Sequence, residues 1–231
     1  MYRKVFANKI FERKVVMVSG GCAGIGRALV LRFAQAGARL VILDLEQDAL
    51  DSLVQHLKDH HNVDALGFCC DVADVERVEH CVTQAIGQFG GIDVLINNAG
   101  VTHRSTFADT TLDVFRRIMD INYFGAVHCT HAALPSLIER HGQIIVMSSL
   151  SGFSPLLYRS AYNASKHALH GLFETLRCEL AGSGVGVMLV CPGFTATDLR
   201  KNALVGDASI SAQPPLAMGK VASAQEVAEA I

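Results

Sequence analysis

The sequence predicts an α/β protein: a doubly wound parallel sheet covered by helices on both faces, giving three layers, α/β/α, in a single domain. Three observations support this architecture. Short runs rich in β-branched residues alternate with longer segments of helical periodicity. The strand candidates are almost continuously apolar, as expected when both faces of a sheet are buried. The length of 231 residues suits one domain with one sizeable core.

The predicted strands and helices follow one another in alternation. Strands are expected at residues 15–19, 39–43, 63–70, 94–97, 143–148 and 186–191. Helices are expected at residues 25–36, 45–60, 74–89, 112–134 and 160–181. Gly37, Gly90 and Gly182 follow three of these helices, and a glycine in left-handed conformation commonly ends a helix.

The periodicity is lost after Pro192-Gly193. Residues from about 195 to 221 carry Gly, Ser, Ala and Pro. A long irregular segment in a compact domain is usually a functional lid or a mobile segment, and a lid over the substrate is expected here. Ser223-Ala224-Gln225-Glu226 is a capping box that opens a last helix. Since the chain stops at Ile231, inside that helix, the sheet is expected to lack a final strand.

Composition narrows the class of protein. Half of the residues are apolar and the formal net charge is −2, which argues against nucleic-acid binding and against a polybasic membrane-surface protein. No apolar run approaches the length of a membrane span. Residues 1–10 do not resemble a secretory signal, whereas a transit peptide is left open. Seven cysteines without a Cys-x-x-Cys pair indicate a reducing compartment, and a cytoplasmic location is predicted.

Ten histidines raise the question of a metal site. His56/His60 and His167/His170 have helical spacing, but neither pair comes with Cys or carboxylate side chains at a recognised ligand spacing. Histidines on solvated or half-buried helix faces are the preferred interpretation. No metal site is predicted.

A glycine-rich loop follows the first predicted strand directly. It reads Ser19-Gly20-Gly21-Cys22-Ala23-Gly24-Ile25-Gly26. Glycine permits a sharp turn and a close approach of a pyrophosphate to backbone amides, and the positive end of the following helix attracts the same anion. Strand, loop and helix in this order indicate dinucleotide binding, although Gly-x-x-x-Gly-x-Gly departs from the common Gly-x-Gly-x-x-Gly spacing.

Asp44 ends the second predicted strand, eighteen residues after Gly26. An acidic residue here can accept hydrogen bonds from the adenosine ribose and would repel a 2′-phosphate. Leu45 and Glu46 follow without a nearby Arg or Lys, and Cys22 stands in the loop where a basic residue could meet that phosphate. NAD is therefore preferred over NADP. The alternative is that Asp44 simply caps the next helix.

Tyr162 and Lys166 are four residues apart in the first turns of the fifth predicted helix, so their side chains lie on one helix face. A nearby cation favours the phenolate and makes a tyrosine usable as an acid or base. Because solvated helix faces also carry such pairs, the meaning of the spacing depends on the rest of the chain.

The joint pattern resembles the classical short-chain dehydrogenase/reductase family, whose fold is of the Rossmann type. The residues that carry the resemblance occur in the family's order: residues 19–26, Asn97-Asn98-Ala99-Gly100, Ser149, Tyr162-x-x-x-Lys166 and Pro192-Gly193. The match runs from Lys14 to the end of the chain. Serine at position 19, where the family has threonine, keeps the hydroxyl. Residues 165–169 and 174–180 look like the branch that acts on lipophilic carbonyls.

The resemblance implies a set of catalytic residues. Tyr162 would be the acid/base, and Lys166 would lower its pKa and hold the nicotinamide ribose. Ser149 would hydrogen-bond the substrate oxygen; Ser148 is the competing choice, but the thirteen-residue spacing to Tyr162 favours Ser149. Asn122 would hold a water that links Lys166 to solvent.

The resemblance also implies the cofactor contacts. Asp71 would accept a hydrogen bond from the adenine amino group beside Val72, and Thr195 and Thr197 would orient the nicotinamide. The complete set expected to contact NAD is Ser19, Gly20, Gly24, Ile25, Gly26, Asp44, Asp71, Val72, Asn98, Ala99, Gly100, Tyr162, Lys166, Pro192, Gly193, Thr195 and Thr197.

These assignments predict an oxidoreductase that interconverts a secondary alcohol and a ketone. Leu150, Phe153, Leu156, Leu157 and the segment 199–218 would line the mouth of the site and favour a lipophilic small-molecule substrate. Leu156 and Leu157 could equally pack under the lid or in a subunit contact. Relatives of this kind commonly associate through helices like 112–134 and 160–181, so a homodimer or homotetramer is expected.

Three alternatives stay open. A 3-oxoacyl-type reductase of the same family would use NADP and favour a basic rim. A non-catalytic dinucleotide-binding protein would bind nucleotide without turnover. A purely structural α/β domain would not bind NADH at all.

Overall fold

The computed structural model describes residues 9–197, 199, 203–210 and 221–231, and in this part of the chain a six-stranded parallel sheet forms the centre of the fold. Its strands run in the order β3-β2-β1-β4-β5-β6. They are β1 (Val15–Ser19), β2 (Arg39–Asp44), β3 (Ala65–Cys69), β4 (Val94–Asn97), β5 (Gln143–Met147) and β6 (Gly186–Val190). The order reverses between β1 and β4, which opens a crevice at the carboxyl edge of the sheet.

Helices cover both faces of this sheet. They are α1 (Gly24–Gln35), α2 (Gln47–His61), α3 (Val75–Phe89), α4 (Leu112–Met119), α5 (Gly125–Glu139), α6 (Ser160–Glu179) and α7 (Ala224–Glu229). Successive side chains of β1 point to opposite faces: Val15 and Met17 pack with α3, α5 and α6, whereas Val16 and Val18 pack with α1, α2 and α7. The predicted three-layer α/β/α, Rossmann-type domain is confirmed. None of the helices described is both long and apolar enough to cross a bilayer.

The fourth predicted helix is divided in the structure. The helix expected over residues 112–134 consists of α4, a π-helical turn at Asp120–Phe124 and α5, which continues to Glu139. A π-helical turn inside a helix is rare and is frequent at functional sites. Hydropathy could not reveal it, because one wider turn shifts the apolar stripe too little to break the pattern.

Other element boundaries differ from the prediction by one or two residues. The strand expected over residues 63–70 is shortened to β3, which lies at the edge of the sheet and is half-buried. Helix α2 begins at Gln47 rather than at residue 45, because Glu46 is extended and serves as its N-cap.

Part of the predicted lid is ordered by pairing. Thr195–Ala196 (β7) pairs in parallel with Ala222–Ser223 (β8), and Leu204 forms bridges to His103 and Ile210. Strands of two residues are too short to show a periodicity, so the sequence pattern missed them. Residues 198, 200–202 and 211–220 of the lid lie outside the described residues. The capping box of Ser223 and Glu226 is confirmed at the start of α7.

Candidate active site

A cavity of about 610 Å³ opens at the carboxyl edge of the sheet, where the strand order reverses. The loops that follow β1, β4, β5 and β6 supply most of its walls. The residues predicted from the sequence that line it are Gly20, Gly24, Ile25, Asp44, Asn98, Ala99, Gly100, Ser149, Tyr162, Lys166, Pro192, Gly193, Thr195 and Thr197. Folding therefore brings distant sequence motifs into one cavity.

The glycine loop forms part of the cavity wall, and its glycines leave little room for side chains of their own. Gly20 and Gly24 have positive φ angles of 65° and 51°, which favour glycine. A Cβ on Gly20 would lie 3.0 Å from the Cα of Ala99, and a Cβ on Gly26 would collide with the carbonyl oxygen of Gly20. The N-cap of α1, Ala23, supplies no side-chain hydrogen bond to the helix amides. A narrow glycine cradle before an uncapped helix N-terminus fits a pyrophosphate.

Ser19 and Asn98 hold this loop against the end of β4. The Asn98 Nδ2 donates to the carbonyl oxygens of Ser19 (3.0 Å) and Gly20 (2.9 Å). The Ser19 hydroxyl accepts hydrogen bonds from the backbone amides of Asn98 and Ala99, both at 3.1 Å. Ser19 is only 2% exposed, so its hydroxyl supports the loop from behind rather than lining the cavity.

Asp44 lines the cavity beside the glycine loop. Its Oδ2 accepts a hydrogen bond from the amide of Cys22 and its Oδ1 from the amide of Leu45, both at 2.8 Å. Each carboxylate oxygen keeps a further lone pair for a ligand hydroxyl. The alternative that Asp44 caps α2 is wrong, since Glu46 is the N-cap residue. Burial, and secondarily the charge of Asp44, raises the pKa of the Cys22 thiol to about 12.

Asp71 and Val72 are not among the described residues that line the cavity. Asp71 is exposed, and its Oδ1 accepts a hydrogen bond from the amide of Ala73 at 2.9 Å. Val72 is buried against Gly125, and its carbonyl oxygen lies 2.9 Å from the Nδ1 of His128. Their contact with adenine stays a prediction.

Tyr162 and Lys166 are buried together on one face of α6. The Lys166 Nζ lies 5.7 Å from the centroid of the Tyr162 ring and donates a hydrogen bond to the carbonyl oxygen of Met147 at 2.8 Å. Burial lowers the pKa of Lys166 to about 8. Burial also raises the pKa of Tyr162, opposed by a hydrogen bond with Ser149 and by the charge of Arg159. The predicted lowering of the tyrosine pKa by Lys166 stays a prediction.

The two neighbouring serines have different partners. Ser149 begins the 3₁₀ turn Leu150–Gly152, where its Oγ accepts a hydrogen bond from the amide of Ser151. Its side chain also acts on Tyr162, where it opposes the rise in pKa that burial causes. The Ser148 Oγ instead lies 2.9 Å from the Nε2 of His170. This geometry favours Ser149 over Ser148 as the partner of a substrate oxygen.

Asn122 lies behind the cavity wall, in the π-helical turn. Its Oδ1 accepts a hydrogen bond from the amide of Val101 (2.7 Å), while its Nδ2 donates to the Val101 carbonyl and to the Ser165 Oγ, both at 2.9 Å. A Cβ placed on Gly100 would lie 3.2 Å from the Asn122 Oδ1 and 3.7 Å from the Lys166 Nζ. Asn122 and Lys166 therefore flank the same glycine.

Arg159 is a cavity residue that sequence reasoning missed. Its Nη1 donates hydrogen bonds to the Oγ1 of Thr102 and the carbonyl oxygen of His103, both at 2.6 Å. These bonds join the start of α6 to the loop after β4 and place a fixed positive charge near Tyr162. Its position three residues before Tyr162, one helical turn away, was the available signal.

The histidine pairs that raised the metal question have other partners. The rings of His56 and His60 stack with centroids 4.2 Å apart on the surface of α2. The Nδ1 of His167 lies 2.9 Å from a carbonyl oxygen of its own helix, while His170 pairs with Ser148. In the part of the chain that the structure describes, no group of three or more His, Cys, Asp or Glu side chains could hold a metal ion.

A parallel sheet of this order, with a glycine cradle and a buried Tyr/Lys pair lining one crevice at its carboxyl edge, defines a dinucleotide-binding oxidoreductase fold. Residues 14–206 match the family model described as short chain dehydrogenase. The chain belongs to the short-chain dehydrogenase/reductase family.

Several members of this family resemble the chain over most of its length. It is 37% identical over 217 residues to dehydrogenase/reductase SDR family member 7B of Xenopus tropicalis, covering 90% of this chain and 70% of that protein. The protein of the same name from Mus musculus is 37% identical over 215 residues, covering 90% and 66%. The Drosophila melanogaster SDR family protein 7-like is 34% identical over 224 residues, covering 94% and 68%. The chain thus spans about two thirds of the length of these relatives.

Solved structures share the fold. A short-chain dehydrogenase/reductase from Burkholderia phymatum in complex with NAD superposes with a TM-score of 0.83 and 28% identity, covering 95% of this chain and 84% of that one. An alcohol dehydrogenase from Thermococcus sibiricus, complexed with 5-hydroxy-NADP, superposes with a TM-score of 0.81 and 24% identity, covering 95% and 88%. The second likeness, at this identity, concerns the fold alone.

Proposed function

We propose that this protein is an NAD-dependent oxidoreductase that interconverts a secondary alcohol and a ketone on a lipophilic small molecule. The observation that carries the proposal is that Ser149, Tyr162 and Lys166 line the same cavity as the glycine loop and Asp44. One group of residues can handle a proton and the other can hold a dinucleotide. Membership of the family supports the class of reaction.

Residues of this chain are available to bind each part of a nicotinamide dinucleotide. Gly20, Gly24 and the start of α1 would hold the pyrophosphate, and Asp44 the adenosine ribose. Lys166 would hold the nicotinamide ribose, and Thr195 and Thr197 would hold the carboxamide of the nicotinamide ring. When bound, the nicotinamide accepts or returns the hydride. The negative charge of Asp44 would repel a 2′-phosphate, which supports NAD over NADP.

The side chains of the protein bind and transfer one proton in the proposed reaction. In the direction of oxidation, Tyr162 takes the proton of the substrate hydroxyl and Ser149 donates a hydrogen bond to the developing charge on oxygen. Because burial raises the pKa of Tyr162, the approach of the Lys166 ammonium would be needed to stabilise the phenolate. Asn122 and Lys166 flank Gly100, which supports a proton exit between them.

The mouth of the cavity favours an apolar substrate. Its lining includes Leu150, Leu156, Phe194 and Leu199, while Leu157 is exposed. Apolar walls around a few convergent polar groups are typical of a site for a lipophilic ligand. Residues 195–221 would act as the lid, since both ends of this segment pair at β7 and β8.

A substrate screen tests the proposal. Secondary alcohols and ketones of increasing chain length would be offered with NAD and with NADP, and the absorbance of the reduced nicotinamide followed. We expect turnover with NAD that is abolished in Tyr162→Phe, while NADH binding, followed by fluorescence, stays intact. Substantial activity in this variant would falsify the mechanism. NADH binding without turnover of any substrate would favour the non-catalytic alternative. A preference for NADP would favour the 3-oxoacyl-type reductase.

Association into a homodimer or homotetramer is part of the proposal. Leu112 of α4 is 68% exposed and Phe124 before α5 is 45% exposed, so these helices carry apolar side chains on their surface. Light scattering coupled to size-exclusion chromatography would give the mass. A monomer at micromolar concentration would contradict this part. The cytoplasmic location stays a prediction from the cysteine content.

A further inference from the structure

A second group of polar side chains lies beside the catalytic residues, and the proposed reaction does not use it. The Ser148 Oγ lies 2.9 Å from the Nε2 of His170, whose Nδ1 lies 3.5 Å from the Oε1 of Glu174. Ser148 is 6% exposed and lines the cavity, whereas the Glu174 side chain is 61% exposed at the surface. These three side chains connect the cavity wall to solvent.

The His170 imidazole supports the whole segment that carries Ser149. Besides its bond to Ser148, it packs against Gly152, where a Cβ would lie 2.5 Å from the His170 Nε2 and 2.7 Å from the Ser148 Oγ. The ring of Phe153 meets the imidazole edge-on, with centroids 6.0 Å apart. His170 thus contacts this segment at three points, on both sides of Ser149.

The position of His170 on its helix links these contacts to the reaction. Tyr162, Lys166 and His170 are spaced at i, i+4 and i+8, so one face of α6 presents all three. A rigid helix therefore sets the distance between the phenol and the segment that presents Ser149. The Cys191 Sγ, 3.7 Å from the His170 Nε2, adds a contact from the loop after β6.

We propose that His170 is a positioning residue that acts through Ser148 to hold residues 148–153 so that Ser149 faces Tyr162; this inference rests on the proposed function. Glu174 orients the imidazole ring from the Nδ1 side, so that the Nε2 accepts a hydrogen bond from the Ser148 hydroxyl. Removing the imidazole nitrogen leaves a buried hydroxyl without this partner and frees the turn to shift. Misplacement of a reacting group by about 1 Å can cost about 100-fold in rate.

Four variants and one control test the role. His170→Phe keeps a ring against Phe153 but removes the nitrogen, His170→Gln keeps a polar group, Ser148→Ala removes the hydroxyl, and the fourth combines His170→Phe with Ser148→Ala. His167→Phe is the control, because His167 is exposed on the same helix. The kcat and KM for the alcohol would be measured at saturating NAD, and the NADH dissociation constant by fluorescence.

We expect kcat to fall by about 10- to 100-fold in His170→Phe and in Ser148→Ala, with NADH affinity unchanged. The double variant should be no slower than the slower single variant, because both changes break one interaction. His170→Gln should recover part of the rate, and His167→Phe should match the wild type. The inference would be overturned if the double variant lost kcat by the product of the two single losses, or if His170→Phe kept the wild-type kcat.

A readout without turnover tests the hydrogen bond itself. In the ligand-free protein, Ser148→Ala should shift the ¹⁵N resonance of the His170 Nε2 and leave the His167 ring unchanged; an unmoved His170 resonance would overturn the inference even if His170→Phe fails to fold. Absence of turnover in the wild type overturns the proposed function and this inference with it. A wild-type kcat in His170→Phe, with turnover intact in the wild type, overturns this inference alone.

Discussion

The side-chain amide of Asn122 binds both backbone groups of Val101: its Oδ1 accepts from the amide at 2.7 Å, and its Nδ2 donates to the carbonyl at 2.9 Å. A side chain from the π-helical turn thus pairs with the loop after β4 as a strand would. Because Val101 and Thr102 line the cavity, this pairing fixes one of its walls. The predicted water at Asn122 stays a prediction, and the structure adds a role in shaping the site.

Asn122→Ala should destabilise the fold. It leaves the Val101 amide and carbonyl without these partners, which costs about 1–3 kcal/mol in the free energy of unfolding. Urea denaturation measures the loss. Asp120→Ala, an exposed change in the same turn, should cost no more than about 0.5 kcal/mol. Equal stability of both variants would show that the pairing is not stabilising.

Gly26→Ala should abolish NADH binding. The added Cβ would collide with the Gly20 carbonyl oxygen and lie 2.5 Å from the Asn98 Nδ2, so the glycine loop must move. Fluorescence titration with NADH measures the effect. Gly87→Ala in α3 is the matched control, since nothing lies within 4 Å of its added Cβ, and there alanine should stabilise the helix by about 0.5–1 kcal/mol. An unchanged NADH affinity in Gly26→Ala would contradict the assigned cradle.

Asp44→Asn should shift cofactor preference toward NADP. The amide keeps one oxygen as an acceptor but removes the charge that would repel a 2′-phosphate. The measurement is the ratio of kcat/KM with NAD to kcat/KM with NADP, which should fall by about tenfold or more, equivalent to about 1.4 kcal/mol. Asp48→Asn, an exposed change in the first turn of α2, should leave the ratio unchanged. An unaltered ratio in Asp44→Asn would refute the role of this charge.

Lys166 should make stability depend on pH. Burial lowers its pKa from 10.5 to about 8, so between these values the unfolded chain binds more protons than the folded one. Stability from this group therefore rises with pH across that window, by at most about 1.4 kcal/mol per pH unit. The difference in unfolding free energy between wild type and Lys166→Met should grow in favour of the wild type from pH 8 to pH 10. A constant difference would contradict the low pKa.

The architecture was predictable because its signals are local. The apolar runs of β1 and β4 and the periodicity of α1 and α3 each lie within a short window, and their order defines the parallel sheet. The capping box at Ser223 is likewise a pattern of four residues. The π-helical turn at Asp120–Phe124 was not predictable, because it depends on the pairing of Asn122 with a loop about twenty residues away.

Some features of the candidate site likewise follow from local sequence, whereas others depend on the tertiary structure. The sequence by itself determined the glycine loop, the acidic end of β2 and the spacing of Tyr162 and Lys166, since each follows from backbone freedom or helix geometry within one segment. Only the tertiary structure decided that Ser148 faces His170, that Arg159 reaches the loop after β4, and that Asp71 lies off the cavity. These contacts depend on packing between segments far apart in the chain. There, hydrogen bonding and the space available to each side chain, rather than sequence periodicity, decide which residues meet.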